Sequence, residues 1–175
     1  MTVTTPQTGA QTGAQSDAAF LADFADRWLA AWNSHDTERV LELLSDDIRW
    51  DDRTFWPEVI EGKEGVRAYT EKIWEAMPDV QFAEIERFFA PDARRGIVLF
   101  RQTGSGPAKL NPERTFDAHG CDIFLEFHGD QLGSYLSAYD IVPMLQQLGG
   151  LPPREGKLGG AYLMSLARGA RGSGA

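Results

Sequence analysis

The spacing of apolar residues divides the chain into a helical first half and a strand-rich second half. The first predicted element is an amphipathic helix over about 18–33, in which aromatic residues recur at helical spacing: Phe20, Phe24, Trp28 and Trp32. Asp36 is a good N-cap for a second helix. A third helix is predicted to open after Gly62 and to end at Pro78.

Alternating apolar and polar residues in the second half predict four strands. They cover about residues 80–89, 95–103, 114–128 and 132–139. A final short helix is expected between Asp140 and Gly149. Three helices followed by antiparallel strands indicate an α+β fold, in which one curved antiparallel sheet wraps around the helices as a cone-shaped barrel with a pocket at its mouth.

The two ends of the chain differ in composition from the middle. Residues 1–16 nearly duplicate the sequence Gln-Thr-Gly-Ala and are predicted to be disordered. Residues 152–175 read as a Gly/Arg-rich tail. The folded domain is therefore expected to span residues 17–151.

The strand predicted around Trp50 carries the strongest candidate for chemistry. Ile48, Trp50 and Asp52 alternate with Arg49 and Asp51, so a strand places Asp52 on the face that holds two large apolar side chains. A carboxylate there loses water, its pKa rises, and it becomes a better general base. The alternative is that the strand ends early and Asp52 lies in an exposed turn.

His119 is the candidate acid that would partner Asp52, since it alternates with apolar residues along the third predicted strand. The alternative is a core or rim histidine. Tyr135, Ser137 and Tyr139 share one strand face, which either donates hydrogen bonds to a ligand or forms a sheet contact between subunits. The predicted pocket lining comprises Trp28, Trp32, Trp50, Trp56, Tyr69, Cys121, Ile123, Tyr135, Ser137 and Tyr139.

Charge and motif content exclude several classes of function. A net charge of −9 argues against binding to nucleic acid or to an anionic membrane surface. Cys121 is the only cysteine, which excludes an internal disulfide and a cysteine-rich metal site. The sequence contains no nucleotide-binding, zinc-protease or serine-hydrolase motif, no membrane-length apolar run and no signal peptide. We therefore expect a cytoplasmic protein that needs no cofactor.

The order of several short motifs resembles that of the SnoaL-like polyketide cyclases, a family of the nuclear transport factor two-like superfamily. The resemblance covers about residues 18–150 and rests on Trp32-Asn33-Ser34-His35-Asp36, Ser45-Asp46-Asp47, Gly62…Ala68-Tyr69, Pro78-Asp79 and Asp140…Gln147-Leu148-Gly149. It implies a cone-shaped fold, a small hydrophobic ligand and a homodimer formed through the sheet face. Ketosteroid isomerase and limonene epoxide hydrolase belong to the same superfamily.

The resemblance also assigns roles to individual positions. Asp52 falls where ketosteroid isomerase has its general base, whereas Trp28 replaces the tyrosine of its oxyanion hole. The protonated acid of that hole falls at Ile123, with Asp122 adjacent on the expected opposite face. The acid/base aspartate of the cyclases falls at Ser137. Asp52, Asp122 and an arginine, Arg101, match the residue types of the epoxide hydrolase relay.

Two functions remain open at this point. The first is a cofactor-independent enzyme that moves protons on a small hydrophobic oxygenated molecule such as a polyketide, steroid or terpenoid, leading to isomerisation, cyclisation or epoxide opening. The second is a non-catalytic module of the same fold that binds a small molecule or dimerises.

Overall fold

A computed structural model of the chain describes residues 9–110 and 113–151. The helices are α1 (Gly9–Asn33), α2 (Thr37–Leu41), α3 (Lys63–Ala76) and α4 (Ile141–Leu148). The strands are β1 (Leu44–Asp51), β2 (Ile60–Glu61), β3 (Gln81–Ala90), β4 (Arg95–Ser105), β5 (Thr115–His128) and β6 (Gln131–Tyr139). The four long strands of the second half lie within about two residues of their predicted bounds.

All six strands form one curved sheet in the order β2-β1-β6-β5-β4-β3. Neighbouring strands pair antiparallel except for β1 and β6, which run parallel. The sheet keeps two free edges, so the cone is open rather than a closed barrel. The predicted α+β class is confirmed.

The core lies between the first helix and the inner face of the sheet. Trp28 of α1 is fully buried and lies 5.9 Å from the ring of Trp50 on β1. Trp50 in turn stacks on Tyr135 of β6, with ring centroids 3.9 Å apart. Burying aromatic side chains of this size supplies much of the apolar area that stabilises a domain.

The end of α1 is fixed to the sheet by polar contacts. The Asn33 side chain donates to the Phe82 carbonyl at 2.9 Å and accepts from the Phe82 N–H at 2.7 Å. His35 contacts the Val80 carbonyl at 2.7 Å and stacks on Trp74. Asp36 caps α2, as predicted, by accepting from the N–H groups of Glu38 and Arg39. The contacts of Asn33 and His35 hold the end of α1 against the start of β3.

Two features of the chain ends and connections were not expected from the sequence. Helix α1 begins at Gly9 instead of near residue 18, so it extends into the segment predicted to be disordered. A two-residue strand, β2, lies between β1 and α3 and forms one edge of the sheet. Residues 1–8 and the predicted tail 152–175 lie outside the described residues.

Among the described helices, none is long and apolar enough to cross a membrane.

Candidate functional site

A cavity lies between the inner face of the sheet and helices α1 and α3. Its walls are Leu29, Trp32, Phe55, Tyr69, Ile73, Met77, Phe82, Gln102, Asp122, Tyr135 and Tyr139. The space between these walls, including the part that is open to solvent, totals about 360 Å³. In the free protein the wall side chains fill most of this space, and the part that remains open holds about one water molecule. The cavity is mainly apolar, with a few converging polar groups.

Asp52 follows the last residue of β1 and is fully buried, as the alternation of Ile48, Trp50 and Asp52 predicted. The Tyr69 hydroxyl of α3 donates a hydrogen bond to its Oδ2. Burial raises the pKa of Asp52, and the hydrogen bond from Tyr69 opposes this rise. The exposed-turn alternative is therefore wrong.

Asp52 is not part of the cavity wall, but two wall tyrosines interact with its carboxylate. Tyr69 donates to Oδ2, and the Tyr139 hydroxyl also lies close enough to lower the pKa of Asp52. Within the described part of the chain, the second carboxylate oxygen of Asp52, Oδ1, has no hydrogen-bond partner. A proton from the cavity can therefore reach Asp52 through a wall hydroxyl, of which that of Tyr69 is hydrogen-bonded to the carboxylate.

Asp122 of β5 is a second buried carboxylate, and it lies in the cavity wall itself. Trp28 Nε1 donates to its Oδ2 at 2.7 Å, and the Tyr135 hydroxyl donates to its Oδ1. Burial raises the pKa of Asp122 to about 7, against the effect of these two hydrogen bonds, and the negative charge of Asp52 raises it further.

The carboxyl groups of Asp52 and Asp122 lie close enough for the charge on one to affect the ionisation of the other. The Tyr139 hydroxyl lies 3.4 Å from that of Tyr135, and its pKa is raised well above the usual range by burial and by the charges of Asp52 and Asp122. Two carboxylates that repel each other in a dry site do not both ionise readily. A negative charge on Asp52 therefore favours the protonated form of Asp122.

The strand face predicted for β5 is wrong. His119 is exposed, and Cys121 and Ile123 are half-buried on the outer face of the sheet. The inner face of β5 instead carries Asp122 and Phe124. His119 therefore does not face the cavity and cannot partner Asp52, and neither Cys121 nor Ile123 contacts a ligand there.

A shift in strand pairing explains this error. The register between β5 and β6 shifts twice between Phe124 and Phe127, so that both rings pack against Phe24 of α1. Before the shift, every second residue counted backwards from the inward-facing Phe127 lies on the outer face. The shift reverses the alternation of inner and outer residues along β5. Asp122 was missed as a site residue for this reason.

Two orientations of the last strand, β6, were possible, and the structure shows the one in which Tyr135, Ser137 and Tyr139 face inward. Tyr135 and Ser137 are buried and Tyr139 lines the cavity. The tryptophans divide in role: Trp32 lines the cavity, Trp28 and Trp50 form the layer behind it, and the half-buried Trp56 packs edge-on against Tyr69.

Arg101 lies outside the site. It is exposed and forms an ion pair with Asp117 on the neighbouring strand. No arginine or lysine belongs to the cavity wall in the described part of the chain. The residue types of the epoxide hydrolase relay are therefore not brought together.

Among the described residues, no cluster of three or more His, Cys, Asp or Glu side chains is arranged to hold a metal ion.

An open α+β cone with buried acids beside an apolar cavity defines a class of small-molecule-binding domains, and sequence comparison identifies the family. The profile of the SnoaL-like domain family matches residues 25–131, and the chain belongs to this family. No curated protein sequence matches the chain.

Several solved structures share the fold at low sequence identity. AclR from Streptomyces galilaeus, a proposed hydroxylase, is 19% identical with a TM-score of 0.64, covering 87% of this chain and 93% of its own. A proposed polyketide cyclase from Pseudomonas putida is 21% identical, with a TM-score of 0.63 and coverages of 73% and 96%. A protein of ketosteroid isomerase-like fold from Catenulispora acidiphila, in complex with trimethylamine, is 16% identical, with a TM-score of 0.63 and coverages of 74% and 97%.

Proposed function

We propose that the protein is a cofactor-independent enzyme that transfers protons on a small hydrophobic ligand containing a carbonyl group. The observation that carries this proposal is the pair of buried aspartates with raised pKa values, each hydrogen-bonded to a tyrosine of the cavity wall. Environments that separate the pKa values of two neighbouring acids assign one as base and the other as acid.

In the proposed reaction, a C–H bond next to the ligand's carbonyl breaks. Its proton passes to the Tyr69 oxygen as the Tyr69 hydroxyl proton moves to Asp52, and the electron pair moves onto the carbonyl oxygen. Protonated Asp122 and the Tyr139 hydroxyl donate hydrogen bonds to the developing enolate oxygen. Return of the proton to another carbon gives isomerisation, and attack of the enolate carbon on a second carbonyl gives cyclisation.

This proposal favours isomerisation or cyclisation over epoxide opening, because Arg101 points away from the cavity. Neither Ser137 nor His119 takes a proton-transfer role in it. A serine hydroxyl does not ionise near neutral pH, and His119 lies on the outer face of the sheet.

A suitable probe is 2-tetralone, a two-ring apolar ketone whose α-protons exchange with solvent when a base removes them. Exchange in D₂O is followed by proton NMR as loss of the α-proton signals, with the uncatalysed rate subtracted. Saturable exchange that depends on protein concentration supports the proposal, whereas exchange at the uncatalysed rate contradicts it for this ligand class.

Tyr69→Phe tests the path of the proton. The change removes the hydroxyl between the cavity and Asp52 but keeps the ring, so we expect the exchange rate to fall by about 10²-fold or more if Tyr69 relays the proton. If Tyr69 only positions Asp52, the loss of its hydrogen bond makes the carboxylate more basic, and the rate changes less than about tenfold. The kcat measured by NMR distinguishes the two results.

A binding function without catalysis is the second candidate, and the hydrogen bonds of Asp122 favour it. Both oxygens of Asp122 already accept hydrogen bonds from protein groups, which is the arrangement of a structural carboxyl group. This candidate predicts that 2-tetralone raises the melting temperature of the protein without any exchange of its protons. Measurement of both quantities on one sample separates binding from turnover.

We further propose that the protein forms a homodimer through the outer face of the sheet. Strand pairing places Phe88, Ile97, Ile123 and Leu136 in one row across four strands of that face. Phe88 is 50% exposed, and the nearby Ile85 is 55% exposed. An apolar row of this kind on a sheet face is typical of a contact between subunits.

Ile123→Lys places a charge at the centre of this row and should abolish the dimer. Light scattering after gel filtration should give twice the 19.4 kDa of one chain for the wild type and the single-chain mass for the variant. A wild type that elutes as a monomer at about 100 μM contradicts the dimer. Glu71→Lys, at an exposed position on α3 away from the outer face of the sheet, introduces the same lysine and serves as the control that keeps the wild-type mass.

A further inference from the structure

Gln102 of β4 is fully buried and lies in the cavity wall. Among the described residues, neither its side-chain nitrogen nor its side-chain oxygen has a hydrogen-bond partner. We propose that this amide is a second recognition point of the cavity, which binds a neutral hydrogen-bonding group of the ligand at a distance from the two aspartates. The inference deepens the proposed function, since it concerns the ligand of the same cavity.

The side chains next to Gln102 on the neighbouring strands offer its amide no hydrogen-bond partner. Its direct neighbours across the sheet are Phe82 on β3 and Ala118 on β5, neither of which has a polar side chain. A buried donor and a buried acceptor without partners destabilise a fold, because both lost their bonds to water. Such a group persists at a functional site when a ligand supplies the missing partners.

A second unpartnered donor lies in the same wall. Trp32 of α1 lines the cavity, and its indole Nε1–H has no hydrogen-bond partner within the described residues. Gln102 and Trp32 belong to the opposing layers of the cavity, the sheet and the first helix. A ligand between these layers meets unsatisfied hydrogen-bonding groups from both sides.

Strand register gives the spacing between the two polar regions. Gln102 pairs with Ala118, which lies four residues before Asp122 on β5. At about 3.3 Å per residue, the backbones of the two positions are roughly 13 Å apart along the strand. This interval matches the length of about two fused rings, and a ligand of that length displaces the wall side chains that fill the interval in the free protein.

The chemistry of Gln102 defines the group that it recognises. An amide offers one acceptor and two donor hydrogens, so its matching group both donates and accepts. An anionic group is disfavoured, because the wall already contains Asp122 and Asp52 lies close behind it. We therefore expect a two-ring ketone that carries a phenolic hydroxyl, or a group of equal hydrogen-bonding capacity, at the end remote from its carbonyl.

A matched pair of ligands tests the inference. The probes are 6-hydroxy-2-tetralone and 6-methoxy-2-tetralone, of which only the first can donate a hydrogen bond from its distal oxygen. Calorimetric titration of the wild type should show tighter binding of the hydroxy compound by about tenfold, as expected for one hydrogen bond to an otherwise unpartnered group. In Gln102→Leu this preference should disappear. A wild type without the preference, or a variant that keeps it, overturns the inference.

Thermal unfolding of the free protein provides the second test. Gln102→Leu replaces an unpartnered amide by an apolar group of similar size, so the melting temperature should stay equal or rise. The matched control is Gln147→Leu, because the Gln147 amide bonds at both ends to the Asp117 backbone, at 2.6 and 2.9 Å, and its loss should lower the melting temperature. A drop of several degrees in Gln102→Leu shows that the amide supports the fold, which also overturns the inference.

The proposed function can fail separately from this inference. Loss of the hydroxyl preference in Gln102→Leu, combined with unchanged slow exchange of 2-tetralone in all variants, would retain Gln102 as a recognition residue of a non-catalytic binding site. Exchange that depends on Asp52 but not on the distal hydroxyl would retain the enzyme and remove the role of Gln102.

Discussion

Asp52→Asn should slow the exchange of the α-protons of 2-tetralone by about 10²- to 10⁴-fold, the contribution expected of one well-placed general base. Asparagine keeps the shape of the side chain and can still accept the hydrogen bond from Tyr69, but it cannot take up a proton near neutral pH. Binding of 2-tetralone, measured by calorimetry, should change little, so that the loss lies in kcat rather than in affinity.

Asp51→Asn is the matched control for this experiment. Asp51 precedes Asp52 but is paired with Arg53 outside the cavity, and its pKa is lowered by this pairing. Its replacement should leave the exchange rate within about twofold. A rate that is equal in wild type and Asp52→Asn, with both proteins folded and binding the ketone, would remove Asp52 from the mechanism.

The free energy of unfolding should fall as the pH rises from 5 to 8, and Asp122 should account for a large part of that fall. The pKa of Asp122 in the folded protein is about 7, above the 3.8 of an ordinary aspartate. In this pH range the folded state therefore binds more protons than the unfolded state, and stability decreases with pH. For this shift the loss between pH 5 and pH 8 is on the order of 2 to 3 kcal/mol.

Asp122→Asn should remove most of this dependence, because the amide does not titrate. It can accept from Trp28 through its oxygen and donate to Tyr135 through its nitrogen, so its partners remain satisfied. Urea unfolding of both proteins at several pH values gives the comparison. The pKa of His128 is also raised, by its hydrogen bonds with Asp47 and Glu126, so it contributes a slope of the same sign, and that slope is common to both proteins. Parallel curves for the two proteins would contradict the raised pKa of Asp122.

The longer strands, most helix bounds and the burial of Asp52 could be predicted from the sequence because each depends on local periodicity, whereas the early start of α1 and the two-residue strand β2 could not. Ile48 and Trp50 are large and apolar, and they determine which face of β1 turns inward and therefore where Asp52 lies. The capping of α2 by Asp36 is likewise a property of four neighbouring residues.

The orientation of β5 could not be predicted in this way. Its inner face carries a glycine and a carboxylate at Gly120 and Asp122, whereas its outer face carries the more apolar Cys121 and Ile123. Hydrophobicity therefore points to the wrong face, and the register shift near Phe127 reinforces the error. The position of Asp122 depends on pairing with β4 and β6, which residue periodicity does not encode.

Titration of the two aspartates by carbon-13 NMR distinguishes a functional acid–base pair from two ordinary carboxyl groups. The carboxyl carbon shifts of labelled Asp52 and Asp122 would be followed from pH 4 to pH 8.5 in the free protein, with Asp52→Asn and Asp122→Asn used for assignment. We expect Asp122 to titrate near pH 7 and Asp52 to titrate before it, above the 3.8 of an ordinary aspartate, so that a protonated acid lies beside an ionised base. Titration of both carboxyl groups at or below pH 4 would contradict this expectation.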